Sequence, residues 1–350
     1  MFSTYREEDV TILLKDITGL VEPLGTKERE KRIQSGTHYC EMLPIEYEPT
    51  ADYIRLYDQA LALYAQLTAD AVASVAEQIW AQKGPAATLV SLARAGTSIG
   101  VLIRRYLRWK YGADVAHYTI SIIRGRGIDD NAMRHILQRH SPESIQFIDG
   151  WIGKGAIGRE LEAAMKAYPG VSPGLAVLSD PAGLAEKTGT PEDFLIASSC
   201  LNATVSGLMS RTFLRGDIIG PEDFHGSAFY AELRAQDRTY EFIETVQRHF
   251  RRDVKLTAEA PSAPGDGLAE AEEIARAFHV GDVNLVKPGI GETTRVLLRR
   301  VPWKVLVRSL DDWEHLAHIY QLAKERGVEL VEYPLRRYRA CGLIQTMADQ

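Results

Sequence analysis

The chain has 350 residues, enough for two domains with separate cores, and its 45% hydrophobic and 25% charged content is that of an ordinary globular enzyme with a formal net charge of −6. No apolar run reaches membrane-spanning length, and the N-terminal stretch with Arg6, Glu7, Glu8 and Asp9 lacks a signal-peptide core, which points to a cytoplasmic protein with no membrane partner. Three cysteines without paired spacing argue against a disulfide framework or a structural zinc.

Residues 1–80 carry two helical patterns, the second over 53–80, suited to a hood or flanking helical layer. Thr88-Leu89-Val90-Ser91-Leu92 then reads as a buried strand. It is followed by the turn Ala93-Arg94-Ala95-Gly96-Thr97, with Ser98 as N-cap of a helix to about residue 109. Small residues allow close backbone approach there, and Arg94 can meet a phosphate with a planar fork. A third strand, 117–123, ends in the glycine-spaced loop Arg124-Gly125-Arg126-Gly127-Ile128-Asp129.

The most informative stretch follows. Phe147-Ile148 closes an apolar run, Asp149 heads the turn Gly150-Trp151-Ile152-Gly153-Lys154-Gly155, and Ala156 leads into a helical pattern over 157–165. This is the grammar of a strand, a phosphate-cradling loop and a helix N-terminus. Its spacing is neither that of a Walker A loop nor that of GxGxxG. Three strand ends thus present Arg94, Arg124, Arg126, Asp129, Asp149 and Lys154, at the edge where open α/β sheets bind ligands. Further short apolar runs at 175–178 and 194–197 extend a mostly parallel sheet.

An Ala/Pro/Gly-rich segment, 257–267, reads as a linker between residues 1–256 and 268–350. Beyond it the order is α-β-α-β-α-β: a helix at 268–278, then 284–295, a helix, a strand at 304–307, a helix at 312–326 and a strand at 328–333. From Ala269 onward 12 basic residues balance 12 acidic ones, so the net negative charge belongs to the first part. Localised arginines in a neutral segment permit binding to a phosphate backbone without demanding it.

The Arg-Ala-Gly-Thr loop and the acid-headed glycine loop resemble those of type I phosphoribosyltransferases. Residues 34–43, 91–97, 121–129 and 149–151 more closely resemble a bacterial phosphoribosyltransferase-like family linked with tellurite-resistance and stress operons, also labelled cysteine protease StiP. The likeness covers nearly the whole chain. It departs from ordinary phosphoribosyltransferases at Gly150, where they carry a second acid, and at Gly153 to Ala156, where they carry Thr-Gly-x-Thr.

The resemblance implies a phosphoribosyltransferase-type α/β fold and displacement of pyrophosphate from phosphoribosyl pyrophosphate by an unknown acceptor base. Asp149 would hold the ribose hydroxyls, directly or through magnesium. Lys154 with Gly150, Gly153, Gly155 and Ala156 would hold the 5′-phosphate. Arg94 with Ala95, Gly96 and Thr97 would hold pyrophosphate, and Arg124 or Arg126 the leaving group's charge, beside Asp129. Cys200, Asn202 and His225 would line the acceptor pocket. A homodimer is compatible with this reading.

The segment Lys287-Pro288-Gly289-Ile290-Gly291-Glu292-Thr293-Thr294-Arg295 resembles the RNA-binding domain of Pelota and the L7Ae-like proteins, with Gly291 in place of their asparagine. This implies RNA contact through Lys287, Gly289, Glu292, Arg295 and Arg299. Two other functions compete with the transferase: a non-catalytic sensor of ribose phosphate and RNA, and a cysteine peptidase. For the peptidase, Cys200 with His225 is the leading pair, and His38 with Cys40 the second.

Overall fold

The computed structural model describes residues 2–46, 48–254 and 266–344. Six parallel strands form the main sheet: β1 (Thr11–Ile12), β2 (Thr88–Leu92), β3 (Ala116–Ile120), β4 (Ile145–Ile148), β5 (Leu175–Ser179) and β6 (Lys187–Thr190), in the spatial order β1-β3-β2-β4-β5-β6. Successive residues of a strand face opposite layers. Leu89, Ile148, Ala176 and Leu178 pack on one side with helices α2 (Ala51–Lys83), α3 (Ala95–Tyr111) and α6 (Thr239–Gln247). Val90, Phe147, Leu175 and Val177 pack on the other with α4 (Asp130–Leu137) and α5 (Ala156–Met165). Helix α1 (Thr26–Gln34) lies ahead of both layers in the chain.

The expected helix over 53–80 is α2, begun by Thr50, whose hydroxyl accepts from Tyr53 N–H, and stopped at Gly84 with φ +55°. Three local expectations need correction. Helix α3 begins at Ala95 rather than after Ser98, whose hydroxyl bonds Tyr5 instead. The strand at 117–123 breaks at Ser121, and Ile122–Ile123 turns back in a small antiparallel ribbon with Gly127–Ile128. Residues 194–197 form no strand; the sheet's last strand is the polar Lys187–Thr190, which hydrophobic patterning passes over.

A second, smaller α/β unit follows. Its sheet comprises β7 (Val286–Pro288), β8 (Pro302–Val307), β9 (Glu329–Glu332) and β10 (Ala340–Ile344), in the order β7-β10-β8-β9. Helices α7 (Asp266–Ala277), α8 (Ile290–Arg299) and α9 (Trp313–Arg326) accompany it. Strand β10 lies inside this sheet and was not expected. The expected linker falls outside the described residues, except for Asp266 and Gly267, which open α7. The apolar core of the α2 layer runs on into this unit through Ile290, Leu297, Val305 and Leu316. Among the described residues no helix is long and apolar enough to cross a membrane.

Candidate functional site

Between α1 and α2 the chain makes one 3-10 turn, Tyr39–Glu41, with His38 at its N-cap. The cap geometry carries His38 Nδ1 to 2.9 Å from Cys40 Sγ and makes it the acceptor of Cys40 N–H at 3.4 Å. On the far side of the ring, Nε2 lies 3.0 Å from the carbonyl oxygen of Arg124. A carbonyl can only accept, so Nε2 carries the proton and Nδ1 is left basic, facing the thiol. Burial and the neighbouring Glu41 push the Cys40 thiol up, while burial pulls His38 down, so the resting pair is a neutral thiol and a neutral imidazole. Cys40 is 0% exposed, and its sulfur also lies 3.5 Å from the Leu214 carbonyl.

The loop after β3 holds this turn in place. Tyr39 Oη accepts from Arg124 N–H at 2.9 Å, and Arg126 pairs with Glu41 at 2.9 Å. The amides of this glycine-spaced loop already have an anion: Glu160 of α5 accepts from Gly125 N–H at 2.8 Å and Gly127 N–H at 3.0 Å. Arg211 covers the Tyr39 ring, its guanidinium 4.3 Å from the centroid.

Tyr39 and Arg124 lie on the wall of a cavity of about 660 Å³ between the carboxyl ends of the main sheet and the second unit. The expected glycine loop forms much of the floor. Gly155 takes φ +77°, which admits the turn into α5. Asp149 Oδ1 accepts from Gly150 N–H at 2.8 Å, and burial pushes its carboxyl up to about 6, opposed by the nearby Arg295. Lys154 lines the cavity but its ammonium is already engaged. Its ammonium donates to the carbonyls of Val283 and Val286, the latter at 2.7 Å, and burial pulls it down to about 7. The loop lysine is therefore a docking contact for the second unit. Tyr338 adds another, donating to the Gly153 carbonyl at 2.7 Å.

Other expected site residues serve the scaffold. Arg94 is buried, donating to the Met209 carbonyl and to Glu46 at 3.1 Å. Gly96 is a packing necessity, since a Cβ there would stand 2.4 Å from the Ile148 carbonyl oxygen. Thr97 bonds Thr119 at 2.8 Å, and Ala95 opens α3. Asp129 caps α4 through Ala132 N–H at 3.0 Å and accepts from the His225 backbone. His225 Nδ1 meets Ser121 Oγ at 2.8 Å, whereas the Cys200 thiol is buried and pushed up to about 12, with Tyr53 as its bonding neighbour. Among the described residues these two make no bond to each other, and the structure brings together the second cysteine–histidine pair, His38 and Cys40, instead. The neighbouring Asn202 is also buried.

The residues expected to read RNA face inward. Arg295 lies 4.5 Å over the Trp151 ring and 3.4 Å from Glu292. Lys287, Glu292 and Arg295 line the cavity, and Gly289 precedes an α8 N-terminus bound by Asp193. The Arg299 side chain lies outside the described residues. Sequence reasoning missed Asp193, a buried carboxylate that accepts from Ile290 N–H at 3.0 Å and Arg339 N–H at 2.8 Å. Arg300, which the sequence places in a basic cluster off the Arg295–Arg299 stripe, pairs instead with Glu30 of α1 at 2.7 Å. Both partners are distant in sequence, so no local signal marks them.

Magnesium was expected at Asp149. Asp149 has an oxygen already bonded to Gly150 N–H and Arg295 as its leading charge neighbour, and the described residues contain no group of three or more metal-ligating side chains, so this setting does not fit a magnesium ion.

Fold and site define a two-unit α/β protein with a thiol–imidazole pair beside an inter-unit cavity. The family model for the tellurite-like stress resistance cysteine protease StiP matches residues 3–247, and that for the PELOTA RNA binding domain matches residues 266–346. The chain belongs to the StiP family, with a Pelota-type domain at its C-terminal side. A curated relative from Acinetobacter baylyi, named cysteine protease StiP, is 36% identical over 365 residues, covering 98% of this chain and 94% of its own length. These names overturn the expected phosphoribosyl pyrophosphate transferase: both the family and the relative are described as cysteine proteases.

Proposed function

We propose that the protein is a cysteine peptidase in which Cys40 is the nucleophile and His38 its base. The observation that carries this is the 2.9 Å approach of Sγ to Nδ1, with the opposite ring nitrogen anchored by the Arg124 carbonyl. A nucleophile, a base and a group that orients the base form the working unit of covalent acyl transfer. The thiol proton passes to Nδ1, and the sulfur forms a bond to the peptide carbonyl carbon. The proton on Nδ1 then goes to the departing amine as the C–N bond breaks, leaving a thioester. Water, deprotonated by the same nitrogen, releases the acid and restores the thiol. Because Cys40 is fully covered, the turn at 39–41 or the segment at 213–214 must shift before substrate reaches the sulfur.

Strand order and the acid-headed loop support a finer kinship of the first unit with the type I phosphoribosyltransferase fold, without that activity. The two family matches support units close to 1–256 and 268–350. Contact of the second unit with RNA has the matched family's description in its favour. Peptide hydrolysis by the purified chain should vanish in Cys40→Ala and persist in Cys200→Ala. The reverse pattern would move the nucleophile to Cys200.

A further inference from the structure

The cavity beside the cysteine–histidine pair holds more positive charge than its own carboxylates meet, with seven cationic side chains on its wall against four acidic ones. Most have assigned partners: Arg300 is tied to Glu30, Lys154 to two carbonyls and Arg124 to Asn284. Three do not. Arg29, on α1, is 3% exposed; among the described residues its Nε has no hydrogen-bond partner and no carboxylate forms an ion pair with its guanidinium. Of the acids nearest it, Glu30 is committed to Arg300 and Gln34, and Glu46 gives one oxygen to Arg94 while its buried Oε2 makes no hydrogen bond among the described residues. Arg211 stacks on Tyr39 and makes no side-chain hydrogen bond, and the Lys287 ammonium also has no partner among the described residues.

Leaving a guanidinium buried and unpaired is costly, and the ordinary remedy is an anion that accepts its forked N–H groups. Burial and the proximity of Arg29 and Arg94 pull the Arg211 guanidinium down to about 9, a sign of how poorly the cavity's charge is balanced. Arg211 covers the residue next to Cys40, so an anion held there sits near the bond to be cut. The volume suits a few peptide side chains. The four lining acids leave room for one or two single negative charges and disfavour a chain of phosphates.

We infer that this cavity is the specificity pocket of the peptidase and takes a carboxylate of the peptide substrate, held by Arg29 and Arg211, with Lys287 adding positive charge on the same wall. The inference rests on the Cys40–His38 reading, so binding and turnover are measured separately.

The full-length Cys40→Ala protein is titrated calorimetrically with three hexapeptides. One is an end-blocked peptide with a single glutamate, the second is its glutamine counterpart, and the third is the glutamine peptide with a free C-terminus. The glutamate peptide should bind about tenfold or more tightly than the blocked glutamine peptide, and Arg211→Gln in the same background should abolish the difference. If instead the free-acid peptide alone gains, the carboxylate is the chain end, and the pocket stands. Equal affinity for all three overturns the inference. Arg29→Lys, which keeps charge but loses the fork, should retain part of the preference. Thermal unfolding of each variant separates lost binding from lost fold, and Arg211, being the less buried, remains the decisive position if Arg29 proves structural. Turnover of the glutamate peptide that survives Cys40→Ala would remove the peptidase site while leaving the binding result to judge the pocket.

Discussion

His38 Nε2 donates to the Arg124 carbonyl, 86 residues further along the chain, and this bond decides which face of the imidazole meets Cys40. The residue type at 124 does not matter for it, because the acceptor is main chain. The surrounding loop matters a great deal: Glu160 fixes Gly125 and Gly127, and Arg126 pairs with Glu41. Glu160→Ala should therefore lower kcat for peptide hydrolysis without exposing Cys200 or Cys341. Unchanged kinetics would show that the loop needs no such anchor.

Thiol reactivity follows from burial. All three cysteines are buried and free; Cys200 and Cys341 are pushed up to about 12, and Cys40 is raised less while having a histidine beside it. Alkylation of the native protein near neutral pH, read by peptide mass spectrometry, should label Cys40 first and the other two hardly at all. In strong denaturant the three should react alike. Faster native labelling of Cys200 would contradict the assigned nucleophile.

Lys154→Ala was expected from sequence to weaken phosphate binding. The structure assigns a different outcome: two buried carbonyls of the second unit lose their donor, at a cost of about 1–3 kcal/mol. The variant should unfold a few degrees below the parent in a thermal scan, with or without added phosphate. A phosphate-dependent shift in the parent that the variant lacks would restore the earlier reading.

Asp193→Ala probes the same junction from the other side. Two N–H groups, of Ile290 and Arg339, would be left without acceptors, a loss of about 2 kcal/mol or more. Asn should fall between Ala and the parent, since it keeps one acceptor oxygen. Equal stability of all three proteins in urea would show that the carboxylate's burial cost cancels its bonds.

Acid lability has a named source. His117 donates through Nδ1 to the Asp9 carbonyl, accepts through Nε2 from Ser91, and is pulled from 6.5 down to about 4, mainly by burial. The folded protein keeps it neutral while the unfolded chain takes up a proton. Its contribution is thus complete above about pH 6.5 and is lost as pH falls toward 4, to a limit of roughly 3 kcal/mol. Asp149 and Asp193, both raised to about 6, act in the opposite sense between 3.8 and 6, so the parent's net slope is blunted. The difference between parent and His117→Gln in urea midpoints at pH 7.5 and 4.5 isolates the histidine. A difference that does not shrink on acidification would contradict its neutral burial.

What could be read in advance was whatever is written locally. The 3.6-residue period exposed α2, short apolar-rich runs exposed β2 and β4, and the glycine loop after Ile148 lines the cavity between the two units. What stayed hidden depends on distant partners. Phosphate-like chemistry was assigned to Arg94, Asp129 and Lys154 from residue type, whereas Glu46, His225 and Val286 occupy them. Cys200 with His225 ranked ahead of Cys40 with His38 in the sequence, and folding brings only the latter pair to bonding distance among the described residues. Strand β6 was hidden by its polarity, and β10 by its position after the last expected element.

The thiol–imidazole pair lies early in the chain, but its setting is completed late. Arg124 supplies the ring's anchor, and the Leu214 carbonyl that closes over the sulfur comes 174 residues after Cys40. A ribosome must therefore finish more than half of the polypeptide before the pair is oriented. Products that end between Arg124 and Leu214 carry the pair and its anchor but not the carbonyl that closes over the sulfur, so the thiol reaches its final surroundings only once the segment at 213–214 has been made.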